Sequence, residues 1–243
     1  MFSTSKNHGF IVVGLFLLFN LIPINAQQAD DDQPWSVGAD LMTRFYWRGA
    51  NQTVSPAFQP YIEYGVGAFT FGTWSSYSFS KEPFQEIDVY ASYQIKNVRL
   101  TVYDYFSPID SMDVSHHYFD WDKKTTAHAV ELILEVWDAF DTGFALEAGL
   151  FIYGDDKDED GNNLYSAYFE PQYNFSKGEM DVKLFAGFSP GNSMYSDDLE
   201  FVNIGLSATR ELHIYDNITL PFTAMFAINP ATESVFMVAG ISF

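Results

Sequence analysis

The 243-residue chain contains no cysteine. That excludes a disulfide scaffold and a thiol-linked lipid anchor. Cations are scarce, with 12 Lys and Arg against 32 Asp and Glu and a formal charge of −20. Such a chain lacks the basic surface that grips nucleic-acid phosphates or anionic lipid at a membrane surface, so no nucleic-acid partner is expected. Divalent cations and cationic solutes are its natural electrostatic partners. Long apolar runs are also missing. Apart from Ile11 to Ile22, no stretch approaches the ~20 residues that a spanning helix needs. Catalytic signatures are absent in the same way. There is no Gly-x-Ser-x-Gly elbow, no His-Glu-x-x-His and no phosphate-binding glycine loop. Ser115 beside His116 is a sequence neighbour, not a triad. The chain is therefore not expected to be an enzyme, and a hydrolase built on the His116 loop is the weakest alternative.

The amino terminus has the layout of a cleaved secretory signal over residues 1–26. Lys6 supplies the positive region, Ile11 to Ile22 the apolar run, and Ile24-Asn25-Ala26 ends on a small residue. A short acidic leader, residues 27–34, follows.

Aromatic residues are abundant, at 18% with 24 Phe and 15 Tyr, while mean hydropathy is near neutral. A transmembrane β-barrel reconciles the two, because only alternate strand positions face lipid and aromatics gather at the interfaces. The last twelve residues carry this pattern most clearly. Phe243, Ile241, Ala239, Met237 and Val235 fall on one face, and Ser242, Gly240, Val238, Phe236 and Ser234 on the other. A terminal strand ending on Phe resembles the assembly signal of outer-membrane barrels, and it is expected to close the barrel against the first strand.

Alternation predicts twelve strands over residues 35–243: Trp35–Arg48, Phe58–Tyr64, Ala68–Phe79, Phe84–Gln94, Val98–Phe106, Ala127–Trp137, Phe144–Tyr153, Asn163–Phe175, Met180–Ser189, Leu199–Arg210, Ile218–Ala227 and Thr232–Phe243. In the first, Trp35, Val37, Ala39, Leu41, Thr43, Phe45 and Trp47 are expected to face lipid. Most of the long connections fall on one side and the short turns on the other, with both termini on the short side. That is the outer-membrane arrangement of long extracellular loops and periplasmic turns. The fold class is thus an all-β, antiparallel up-and-down transmembrane barrel of about 12 strands. A soluble β-sandwich lectin is the alternative fold.

Gly38-Ala-Asp-Leu-Met-Thr-Arg-Phe-Tyr-Trp-Arg-Gly49, Pro56-Ala-Phe-Gln-Pro60, Phe71-Gly-Thr-Trp-Ser-Ser76 and Glu86-Ile-Asp-Val-Tyr90 resemble the opening of the TorF-type porin family. Asn229-Pro230 and the closing strand extend the likeness to the end of the chain. The resemblance implies a bacterial outer-membrane barrel with periplasmic termini in a Gram-negative cell. The partners implied are outer-membrane lipids and lipopolysaccharide, the barrel-assembly machinery, and small solutes or cations. It carries over no site residues.

Parity places Asp40, Arg44, Arg48, Glu63, Glu86, Asp88, Arg99, Glu131, Glu135, Glu147, Glu170, Asp181 and Lys183 on the lumen side. The acids outnumber the bases, so one-to-one pairing is excluded. Two readings stay open. One is a narrow, cation-favouring channel for ions or small solutes, because charged rings select by sign. The other is a non-conducting structural or ligand-binding barrel, its interior filled by ion pairs and Tyr61, Trp74, Tyr90, Tyr103 and Phe151, with recognition left to the loops. Asp104 falls on the lipid face, which predicts a bulge or the edge of the bilayer there.

No cofactor is expected beyond weakly bound calcium. Asp156, Asp158 and Asp160 followed by Gly161 begin a calcium-loop pattern, but Ala167 stands where the bidentate Glu should be. A loop holding Asp110, Asp113, His116, His117, Asp120 and Asp122, with His128 beyond, has transition-metal ligands without the helical spacing that would converge them.

Overall fold

The computed structural model describes residues 33–81, 84–108, 116–215 and 218–243. The expected signal peptide, most of the acidic leader, Asp110, Asp113 and Ser115 lie outside the described residues. Among the described residues fourteen strands run in chain order: β1 (Trp35–Met42), β2 (Tyr46–Trp47), β3 (Ala50–Asn51), β4 (Ala57–Val66), β5 (Phe69–Ser78), β6 (Gln85–Ile95), β7 (Val98–Phe106), β8 (His128–Ala139), β9 (Phe144–Gly154), β10 (Ala167–Lys177), β11 (Met180–Ser189), β12 (Glu200–Tyr215), β13 (Ile218–Asn229) and β14 (Ser234–Ser242). Twelve of them close into one antiparallel up-and-down barrel, while β2 and β3 form a separate two-stranded sheet. Closure gives each of the twelve barrel strands a neighbour on both sides. No helix among the described residues is long and apolar enough to cross a membrane, which leaves open a crossing by strands.

The terminal strands meet as expected. Asp40 pairs with Ser242, Leu41 with Ile241 and Met42 with Gly240, and Phe243 N donates to Ala39 O at 2.9 Å. The seam explains why glycine sits at 240. A Cβ there would lie 2.0 Å from the Met42 sulfur, so the inward Met42 side chain needs a bare backbone beneath it. Outward Val235 and Met237 are 66% and 70% exposed, whereas inward Phe236 and Val238 are buried.

Aromatic pairs collect at both ends of the outer surface. Near the short turns, Trp35 packs on Tyr64, Phe69 on Tyr93 and Phe144 on Tyr173, with ring centroids 4.7–5.0 Å apart. Near the long loops, Phe169, Phe188 and Phe201 run across β10, β11 and β12. Aliphatic side chains such as Val89, Leu134, Leu146 and Leu206 are exposed on the outer wall. An apolar outer band with aromatic girdles fits a membrane-spanning barrel.

Three strand expectations need correction. β1 ends at Met42 rather than Arg48, so Phe45 does not face lipid but lies buried in the interior. The reason is local. A hairpin turns inward at Arg48-Gly49, both residues having positive φ (43° and 88°), the geometry of a two-residue type I′ turn. β10 starts at Ala167, not Asn163, because Asp156 holds the preceding residues as a loop. β12 runs on to Tyr215, with Leu212 opposite Leu220 in a hairpin extending beyond the wall. Of the two explanations for Asp104, a bulge or the edge of the bilayer, the bulge is absent: β7 pairs with β6 and β8 in unbroken register, and Asp104 lies opposite Val130.

Candidate functional site

The candidate site is the lumen and the segment Thr43–Pro56 that enters it. Thr53 Oγ1 accepts from Phe45 N at 3.1 Å, and Gln52 N donates to Phe45 O at 2.9 Å. These bonds fasten the base of the β2–β3 hairpin. Consecutive residues at its start then point to opposite sides. Phe45 joins a buried cluster with Tyr61, Trp74, Tyr90, Tyr103, Tyr105, Ile133 and Phe151. Tyr46 joins Met42, Phe185, Met225, Phe236 and Val238. The hairpin thereby bridges the two halves of the interior and fills the space between them.

Its tip rests against β12 and β13. A Cβ on Gly49 would stand 1.8 Å from the Val202 carbonyl oxygen, and Asn229 Nδ2 donates to Gly49 O at 3.1 Å. Tyr46 donates to Asn203 Oδ1 at 2.6 Å. Glycine is required at 49 by both its backbone angle and its nearness to β12.

Strand register sets the electrostatics. Glu135 lies opposite Glu147 and Glu147 opposite Glu170, so three inward acids stand abreast on β8, β9 and β10. Like charges directly opposed destabilise a sheet, and this row requires counter-charge. Arg99 on β7, paired with Glu135 in register, supplies one, with Nε 2.6 Å from Glu135 Oε2. The plug supplies the other. Arg48 Nη2 lies 2.8 Å from Glu147 Oε1 and Nη1 lies 2.6 Å from Glu131 Oε1. Arg48 Nη1 also donates to Tyr195 Oη at 2.7 Å. Its guanidinium carbon sits 4.5 Å from the Tyr168 ring centre and 4.9 Å from that of Trp47.

Tyrosine hydroxyls and amides serve the remaining acids. Tyr105 donates to Glu131, and Tyr90 to Glu63. Glu170 accepts from Tyr168, Gln172 and Asn203. Asp181 accepts from Ser176 at the short-turn rim. Lys183 lies over the Phe185 ring. Arg44 belongs to the plug and contacts Asn51. Asp40, Glu86 and Asp88 are buried on the inner wall. Neither Asp88 oxygen nor Asp40 Oδ1 has a hydrogen-bond partner. Ionised and unpaired, each would cost several kcal/mol in such a place.

Parity thus located the acids, but the elements that complete the site carried little sequence signal. Tyr195 arrives from the loop after β11, and Asn203 and Asn229 from β12 and β13. The Arg48-Gly49 dipeptide between aromatic and small residues was the one available hint of an inward hairpin.

The loop acids do not converge. Asp156 is buried and holds Ser166, accepting from its N–H at 2.8 Å and from its hydroxyl at 2.5 Å. Asp158 accepts from the backbone N–H groups of Asn162 and Asp160. Those bonds, led by Asn162, hold its carboxyl below the usual range. Among the described residues, no group of three or more His, Asp or Glu side chains is placed to hold a metal ion. His128 is instead structural. Its Nδ1 faces Asp104 at 2.9 Å, its Nε2 faces Tyr118 O at 2.5 Å, and Trp121 stacks on it at 3.9 Å. The loop thus folds over the outer wall and covers an Asp–His pair on the outer surface.

Fold and site together define a closed twelve-stranded β-barrel with an internal plug, a form compatible with an outer-membrane barrel. The chain matches no family model and no curated protein.

Proposed function

We propose that this chain is an exported outer-membrane barrel of the TorF-type porin class, with periplasmic termini. In this reading its lumen is a narrow, cation-favouring path for ions or small solutes, shut at rest by the β2–β3 hairpin. The observation that carries the reading is the row Glu135–Glu147–Glu170, whose counter-charge comes partly from an inserted hairpin rather than from the wall. Withdrawal of Arg48 leaves an uncompensated acidic belt across the lumen, and such a ring favours cations. No catalytic role is part of this reading.

The second reading, a non-conducting barrel that recognises partners through its loops, draws on the filled interior and the pinned loop at Asp156. Reversal potentials under a salt gradient separate the two. A barrel with residues 45–51 replaced by a Gly-Ser linker should conduct with cation preference. Glu135→Gln with Glu147→Gln should reduce that preference. A folded, membrane-inserted variant without conductance would sink the channel reading and leave the second.

A further inference from the structure

The contacts around Arg48 amount to a complete receptor for a planar cation. Glu147 accepts from Nε at 3.1 Å and from Nη2 at 2.8 Å. Glu131 and Tyr195 accept from Nη1. The Tyr168 ring covers one face at 4.5 Å. Tyr105 in turn fixes Glu131 through its second oxygen at 2.7 Å. Gly149 forms the floor: a Cβ there would lie 2.1 Å from Glu131 Oε1 and 2.9 Å from Arg48 Nη2. Glu131, Glu147, Gly149, Tyr168 and Tyr105 all belong to the wall, and Tyr195 to the loop after β11. The plug supplies the cation and the Trp47 ring, whose centre lies 4.9 Å from the guanidinium carbon. A lone ammonium would satisfy such a box poorly, because the acceptors are set for a fork of N–H donors beneath an aromatic face.

We infer that this wall pocket is a binding site for a small guanidinium-bearing solute, and that Arg48 occupies it as an internal stand-in for that solute. The inference rests on the plugged-lumen reading only for its consequence. A solute that takes the pocket displaces Arg48 and frees the hairpin, so binding and opening are coupled. The pocket carries two carboxylates for one guanidinium, which keeps it attractive to cations after Arg48 leaves.

The test uses the full-length barrel refolded in detergent, with folding followed by heat-modifiable gel migration. Arg48→Ala empties the pocket. Methylguanidinium and methylammonium are then titrated by calorimetry at matched ionic strength. The expected result is binding of methylguanidinium to R48A at least tenfold tighter than methylammonium. That preference should disappear in R48A combined with Glu147→Gln. A folded R48A that does not discriminate between the two cations overturns the inference. If R48A does not fold alone, refolding rescued by methylguanidinium and not by methylammonium supports the inference, and equal or absent rescue overturns it. Conductance is scored separately on the barrel lacking residues 45–51. Guanidinium selectivity with a silent excised barrel leaves the receptor standing and removes the channel; conductance without selectivity does the reverse.

Discussion

Removing the Arg48 side chain should be among the most damaging single changes in the barrel. Arg48→Met keeps comparable apolar bulk but strands Glu131 and Glu147, both buried. Breaking a buried pair on one side costs about 3–5 kcal/mol, because the remaining charge stays desolvated. Loss of the cation–π contact with Tyr168 adds about 1–2 kcal/mol. Neutralising all three groups together is different. Replacing a buried ion pair by groups of similar volume is often neutral, so the triple change R48M, E131Q, E147Q should lie within about 1–2 kcal/mol of the parent. The assay is reversible urea unfolding in lipid vesicles, followed by Trp fluorescence, as a multiple-mutant cycle. The reasoning predicts that R48M loses most of its cost in the E131Q, E147Q background. Additive costs, or an R48M penalty below about 1 kcal/mol, would refute the claim that Arg48 is the counter-charge of the acidic row.

Gly49→Ala places a side chain at φ 88° against Val202 O and should cost about 2 kcal/mol or more, read as a lower urea midpoint and faster protease cutting within residues 43–56. Asp156→Ala removes two charge-assisted hydrogen bonds to Ser166; limited proteolysis should show new cleavage between residues 155 and 166, with the strands intact. Leu134→Arg on the outer wall should cost about 2–4 kcal/mol in vesicles, and an unchanged stability would argue against lipid contact there. His128→Ala leaves Asp104 unpaired beneath Trp121, and a loss of about 3 kcal/mol or more is expected from the same unfolding assay.

Alternation was a good guide wherever one face met the outside. Val98–Phe106 and Met180–Ser189 run between the very residues that the pattern predicts, and the inward acids of β6, β8, β9 and β10 fall where parity puts them. Parity failed at Phe45 and Trp47 for a physical reason. Those residues still alternate, but the chain has left the wall, and no two-residue period distinguishes a wall strand from a plug strand. The receptor around Arg48 was illegible for a related reason. It draws on β8, β9, β10, the plug and the loop after β11, and only register brings them together. Pairing of the acids also looked unbalanced because tyrosine hydroxyls, not cations, serve Glu63 and Glu170.

The central claim is that the hairpin closes a cation-favouring lumen. The most direct measurement is side-by-side planar-bilayer recording of the parent barrel and the variant with residues 45–51 replaced by a Gly-Ser linker. The account predicts a silent parent and a variant with discrete, cation-selective steps. Equal conductance in the two, or silence in a variant shown to be folded and inserted, would contradict it.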